Sequence, residues 1–140
     1  MLTERGAEFL IHAGDVGEGV VELLPSGKSA FVFGNTDYDI AEMRRVAADC
    51  EVQCLGQGGV LEFDGKKIAI CHGDSARLIN GFLAAGVDYL VTGHTHIRHD
   101  QREGRTRLIN PGALHRATIK SVATLDLAAD KLQFHNVDES

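Results

Sequence analysis

Short apolar runs recur along this chain, and four of them stop at a glycine beside a polar side chain. Residues 1–6 read as the last turn of a helix, with Gly6 ending it. An apolar strand at 9–12 leads into Gly14 and Asp15. After a short helix or irregular link over 18–25, a second buried strand at 30–33 ends in Gly34, Asn35, Thr36 and Asp37. Asp37 or Asp39 can cap a helix that runs to about Asp49. Its apolar positions Ile40, Met43, Val46, Ala47 and Cys50 fall at helical spacing and so belong to a core.

Strands at 60–63 and 67–71 flank Asp64-Gly65, a strong hairpin signal, and the second strand ends in His72-Gly73. Asp74 and Ser75 cap a helix with the face Leu78, Ile79, Phe82 and Leu83, and Gly86 stops it. A strand at 89–91 then ends in Gly93, His94, Thr95 and His96. Segments 98–103 and 106–110 form a hairpin turning at Gly104, closed by Asn110-Pro111-Gly112. A last antiparallel pair, 122–127 and 132–137, turns across Ala129-Asp130. Strand–helix alternation followed by mostly strands predicts an α/β (α+β) chain. Two sheets packed face to face, with helices outside, fit this order better than one doubly wound sheet.

A chain of 140 residues is one domain, 1–140, long enough to bury a core. The net charge of -6 argues against a general nucleic-acid or membrane surface, because tracking phosphates takes a basic patch. Arg102, Arg105 and Arg107 cluster, and read as a solvated hairpin face. Cys50, Cys54 and Cys71 include no C-x-x-C pair, so neither a disulfide framework nor a cysteine zinc site is expected. No apolar run has the length of a membrane span, and the first residues do not resemble a signal peptide. A cytoplasmic protein with reduced thiols is the expectation.

The chemistry lies at the strand ends. In extended backbone His94 and His96 point the same way, and neutral imidazole is the commonest metal ligand among side chains. An isolated H-x-H is a weak signal, and Asp15 alone is an ordinary turn carboxylate. Together Asp15, Asn35, His72, His94 and His96 all follow short apolar strands and border a glycine. If neighbouring strands run parallel, their carboxyl ends share one edge, where ligand sites of open sheets form. A carboxylate, an amide oxygen and imidazoles suit a divalent transition ion such as Mn, Fe, Co, Ni or Zn better than Ca or Mg. His12 is a strand histidine with a possible supporting role, His99 and His115 lie near the site segments in sequence, and His135 is ordinary.

The order Gly14-Asp15, Gly34-Asn35-Thr36-Asp37, His72-Gly73, Gly93-His94-Thr95-His96 resembles the calcineurin-like metallophosphoesterase superfamily. It is most similar to the small bacterial and archaeal phosphodiesterase branch, whose pattern also includes Asn110-Pro111-Gly112. The resemblance implies a four-layer fold, two mixed sheets packed as a sandwich and flanked by helices, and a two-metal hydrolase acting on a small phosphodiester. Two cations roughly 3.5–4 Å apart can hold a hydroxide for in-line attack on phosphorus. By the same resemblance Asp15 bridges the metals, Asn35, His72 and His94 complete one ion, and His96 serves the other. Asp15, Asn35 and His72 then form the catalytic group, with manganese the first metal expected and Fe, Ni, Co or Zn as alternatives. Asn35 would also offer its amide N–H to a phosphate oxygen.

Two departures qualify the resemblance. Many members carry histidine in a G-N-H-E segment, where it protonates the leaving group or binds phosphate; here the place is Thr36, which favours acidic leaving groups. Members also open with a strand ending in D-x-H, and no D-x-H occurs in this sequence. The first strand and two ligands are thus expected from an upstream start. A non-catalytic scaffold, the use a retromer subunit makes of this fold, or a one-metal binding protein are the competing functions; the oligomeric state is open. The 140-residue form is expected to bind at most one metal tightly and to turn over slowly. A longer form carrying an in-frame strand ending in D-x-H should bind a second metal and gain orders of magnitude in rate. Metal content per chain and diester hydrolysis, measured side by side, check this; two tight metals and full activity in the short form would refute it.

Overall fold

A computed structural model describes residues 9–13, 27–33, 40–93, 99–111 and 121–136. Their elements are β1 (Leu10–His12), β2 (Ser29–Phe31), α1 (Ile40–Asp49), β3 (Gln53–Cys54), β4 (Gly58–Phe63), β5 (Lys66–Cys71), α2 (Ala76–Ala85), β6 (Tyr89–Val91), β7 (His99–Glu103), β8 (Thr106–Asn110), β9 (Ser121–Asp126) and β10 (Lys131–Asn136). The helix end expected at 1–6, the link at 18–25 and the capping residues Asp37 and Asp39 lie outside the described residues.

The period-2 alternation of buried strands builds four layers. In β2 and the two residues after it, Ala30 and Val32 face one way, toward Ile68, Ile70, Tyr89 and Ile109 of the other sheet. Phe31 and Phe33 face the opposite way and pack with Met43, Val46 and Ala47 of α1. Across the sandwich the pattern repeats: Ala69, Cys71 and Leu90 turn outward to Leu78, Ile79, Phe82 and Leu83 of α2. The order is therefore helix, sheet, sheet, helix. Phe31, Met43, Ile70 and Leu90 are fully buried, each stabilising the fold by roughly 1.5–3 kcal/mol relative to exposure.

The first sheet has the order β1-β2-β3 and is parallel throughout its described part; the second is mixed, in the order β4-β5-β6-β8-β7. Within it β5, β6 and β8 run parallel to one another, with Ile70 opposite Val91 and Val91 opposite Ile109. Strand β3 carries only two residues and has no alternation to betray it in the sequence. The expected turns form where the sequence places them. Asp64 and Gly65 both have positive φ, 51° and 78°, as a two-residue turn between β4 and β5 requires. Ser75 caps α2 by accepting from the Leu78 N–H, and Gly86 ends it at φ 72°. No helix among the described residues is long and apolar enough to cross a membrane.

Strands β9 and β10 form a separate antiparallel ladder, with Leu125 and Leu132 packed on the interior cluster. Its turn is held by charge. Asp130 accepts from the Tyr89 hydroxyl at 2.7 Å, from Arg107 at 3.0 Å and from Arg102. Arg107 also grips both oxygens of Asp100, at 2.8 and 2.7 Å. The solvated arginine face expected from sequence is thus corrected at Arg107, whose side chain is only 13% exposed. Asp100 on β7 and Asp130 at the β9–β10 turn bracket it, a pairing that sequence spacing does not reveal.

These hydrogen bonds shift the partners' titration. Tyr89 is pushed up to about 12, first by burial and then by the Asp130 carboxylate, so its hydroxyl keeps the proton it donates. Asp130 is drawn down from 3.8 to about 2, first by the Tyr89 hydroxyl and then by Arg107. A depressed folded-state value means stability that is fully present above the unfolded value near 3.8 and is lost as pH falls through about 2. Asp130→Asn should therefore unfold at lower temperature than the parent above pH 4 (roughly the unfolded carboxylate value), with the gap closing toward pH 2. Thermal unfolding of both proteins across that range is the check, and a gap independent of pH would refute the charge account.

Candidate metal and phosphoester site

Five strand ends, those of β1, β2, β5, β6 and β8, lie along one edge of the sandwich. In the first sheet the Val32 N–H donates to the His12 carbonyl at 3.1 Å, so β2 and β1 run together into Phe33 and Ala13. In the second, the Gly93 N–H donates to the His72 carbonyl at 2.8 Å, and the Thr92 N–H to the Ile109 carbonyl at 2.9 Å. The parallel strands β5, β6 and β8 thus bring His72, Gly93 and Asn110 to the same end. Among the described residues a hydrogen bond joins the two sheets here: the His72 ring, through Nδ1, meets the Ala13 carbonyl at 2.8 Å.

That contact fixes the chemistry of the imidazole. A carbonyl oxygen only accepts, so Nδ1 carries the proton and, in the neutral ring, Nε2 keeps the lone pair. This is the arrangement by which proteins orient a metal-binding histidine and raise its basicity. His72 is 2% exposed. Its neighbour Cys71 points to the opposite face of β5, into the α2 packing, because successive side chains alternate. Burial pushes the Cys71 thiol up to about 11, although a hydrogen bond with the Gly73 backbone opposes this. Facing α2, the thiol lies on the other side of β5 from the His72 ring.

Gly93 is required by close approach. A Cβ there would lie 3.0 Å from the Ala13 carbonyl oxygen and 3.7 Å from His72 Nδ1. The small residue leaves room for the Ala13–His72 bond, and the next residue in the chain is His94. On the far side of Gly93, the Asn110 side-chain amide donates to its carbonyl at 2.9 Å. Asn110 is buried at 3% exposure.

Of the five ligands expected from sequence, His72 is described and stands at this meeting point; Asp15, Asn35, His94 and His96 lie outside the described residues, as does His115. The described stems lead to those positions: Ala13 is two residues before Asp15, Phe33 two before Asn35, and Gly93 one before His94. Among the described residues no cluster of three metal-ligating side chains occurs. His99 is exposed on β7, and His135 bonds Thr124 at 2.9 Å within the last hairpin. The donor chemistry fits a borderline divalent cation: an oriented imidazole at the meeting point, strand ends running toward a carboxylate, an amide and two more imidazoles, and the Cys71 thiol on the other side of β5. Sequence reasoning treated Asn110 as turn chemistry and gave Ala13 no role. The Asn-Pro-Gly signal marked the first, whereas a backbone acceptor such as Ala13 leaves no trace in side-chain identity.

The model of the calcineurin-like phosphoesterase superfamily domain matches residues 1–130. The chain belongs to that superfamily. It is similar to the probable metallophosphoesterase MJ0623 of Methanocaldococcus jannaschii, 30% identical over an alignment of 137 positions that covers 90% of this chain. It spans 64% of that relative's length. Among solved structures, a novel archaeal phosphodiesterase superposes with a TM-score of 0.85 at 23% identity, covering 97% of this chain and 87% of that one. YfcE, a phosphoesterase from E. coli, superposes at 0.64 and 19% identity, covering 98% and 88%. These likenesses establish the metallophosphoesterase fold, with its helices outside and its strand ends at one edge.

The Gly93 contact generates a direct test. Gly93→Ala should shift the Ala13 carbonyl by a few tenths of an ångström and weaken its hold on the His72 Nδ1 proton. Nitrogen-15 chemical shifts of the His72 ring should then move from a single Nδ1–H form toward a mixture. An unchanged tautomer in the folded variant would mean that another group orients the ring.

Proposed function

We propose that this chain hydrolyses a small phosphodiester in a reaction that depends on divalent transition metal, with manganese the first candidate. The observation that carries the proposal is the His72 ring, oriented by the Ala13 carbonyl where the strand ends leading to Asp15 and His94 meet. The family match, and structural neighbours that are a phosphodiesterase and a phosphoesterase, support the same reading.

In this reading Asp15, Asn35, His72 and His94 hold one cation, and His96 with Asp15 serves a second. Bound there, the cations supply Lewis acidity toward the phosphoryl oxygens and make water acidic enough to act as a nucleophile near neutral pH. The chain's own groups do the positioning. The Ala13 carbonyl keeps the proton on His72 Nδ1, so the ring presents Nε2 in one orientation. Asn35 has an amide N–H to give to a phosphate oxygen, where negative charge grows as the bond to phosphorus forms. Thr36 has no acidic proton to give the departing oxygen, so the reading favours diesters with acidic leaving groups. The net charge of -6 likewise favours a small substrate over a long nucleic acid.

Hydrolysis of bis(p-nitrophenyl) phosphate with added Mn2+ should be measurable and should vanish on chelation and in His72→Ala. Asn35→Asp, with metal content matched to the parent, should lose turnover by roughly a hundredfold or more, because the donor to the developing charge is gone. Parental rates in that variant would reduce Asn35 to a metal ligand. Tight Mn2+ binding without turnover of any diester would favour a binding protein or scaffold.

A further inference from the structure

We infer that Asn110 is a positioning residue for the metal site, acting through the carbonyl of Gly93. The inference rests on the metal-dependent reading above and extends it to a residue with no ligand role. Asn110 closes β8, the strand parallel to β6, and its side-chain amide donates to the Gly93 carbonyl at 2.9 Å. That carbonyl belongs to the peptide bond joining Gly93 to His94. The same glycine gives its own N–H to the His72 carbonyl. Both ends of the residue that precedes His94 are therefore pinned, one to the strand that carries His72 and one to Asn110.

The regular ladder cannot do this by itself. The backbone pairing of β6 with β8 ends where the Thr92 N–H meets the Ile109 carbonyl, one residue short of Gly93. A side chain of the length of asparagine spans the next step and prolongs the ladder by one bond. Alanine could not donate, and aspartate of the same shape would offer an acceptor to an acceptor. A glycine with no side chain to pack has little else to hold its carbonyl in place. Fixing that carbonyl sets the plane of the peptide that joins Gly93 to His94.

A buried residue at the end of a strand also stabilises the fold, so the test needs a control that separates the two roles. Thr106 supplies it. It lies at the opposite end of the same strand, is equally buried, and donates to the Val87 carbonyl at 2.6 Å, far along β8 from Asn110. Asn110→Ala and Thr106→Val should both lower the unfolding temperature. At a temperature where all three proteins are folded, Mn2+ affinity by competition titration should fall roughly 10–100-fold in Asn110→Ala alone. Without metal, exchange of the Gly93 amide with solvent should quicken about fivefold or more, the equivalent of one ordinary hydrogen bond, while the Leu90 amide is unaffected. Equal Mn2+ affinity in Asn110→Ala and the parent would overturn the inference and leave the proposed function standing. Equal losses in both variants would also overturn it, since they would mark general destabilisation. A parent chain that binds no Mn2+ would refute the proposed function and the inference with it.

Discussion

The hydrogen bond from the His72 ring to the Ala13 carbonyl is the constraint on which the site depends. It joins the two sheets at the edge where parallel strands end, and it chooses the nitrogen that keeps a lone pair. Two further choices follow from it. Position 93 must be glycine-sized, because a Cβ would stand 3.0 Å from the shared carbonyl. The alternation of β5 must put the imidazole of His72 toward Ala13 of the first sheet and the thiol of Cys71 toward α2. A single backbone acceptor thereby ties together side-chain identity at three positions on two strands.

Much of the fold was legible because its signals are local. Asp64-Gly65 announces a two-residue turn, Ser75 and Gly86 bound α2, and the helical spacing of Met43, Val46 and Ala47 marks the buried side of α1. The layered arrangement was legible in the order of elements, strand–helix alternation followed by mostly strands, and the structure realises it by dividing Ala30/Val32 and Phe31/Phe33 between two partners. What stayed hidden is long-range. The two-residue β3 is too short to show a period, and the bracket around Arg107 joins residues from two strands and a distant turn. In the candidate site, histidine at a strand end could be read directly at position 72, and its partner could not, since any residue at position 13 offers the same carbonyl. Asn110 sits between these cases: its turn-forming character was visible, but the target of its amide depended on which strand lay beside β8.

The second sheet treats its two margins differently. Strand β7 is exposed along its whole length and carries His99, Asp100, Arg102 and Glu103, a charged margin that discourages pairing with another chain. Strand β4 exposes a large apolar side chain only at Val60. The charges of β7 are not merely protective, since Asp100 is also the anchor of Arg107 and so of the last hairpin.

The sequence distances closed at the site have a consequence for how it comes into being. The Asn110–Gly93 bond joins residues 17 apart, whereas the His72–Ala13 bond joins residues 59 apart. Closing the longer loop costs about 1 kcal/mol more in chain entropy, by logarithmic scaling with length. Strands β5, β6 and β8 can therefore align their ends as one local unit, and the piece containing Ala13 must arrive from farther along the chain. Until it does, the His72 ring lacks the Ala13 carbonyl as an acceptor. Among the described contacts of the candidate site this one closes the longest loop, so the orientation of the imidazole is set only as the two sheets come together.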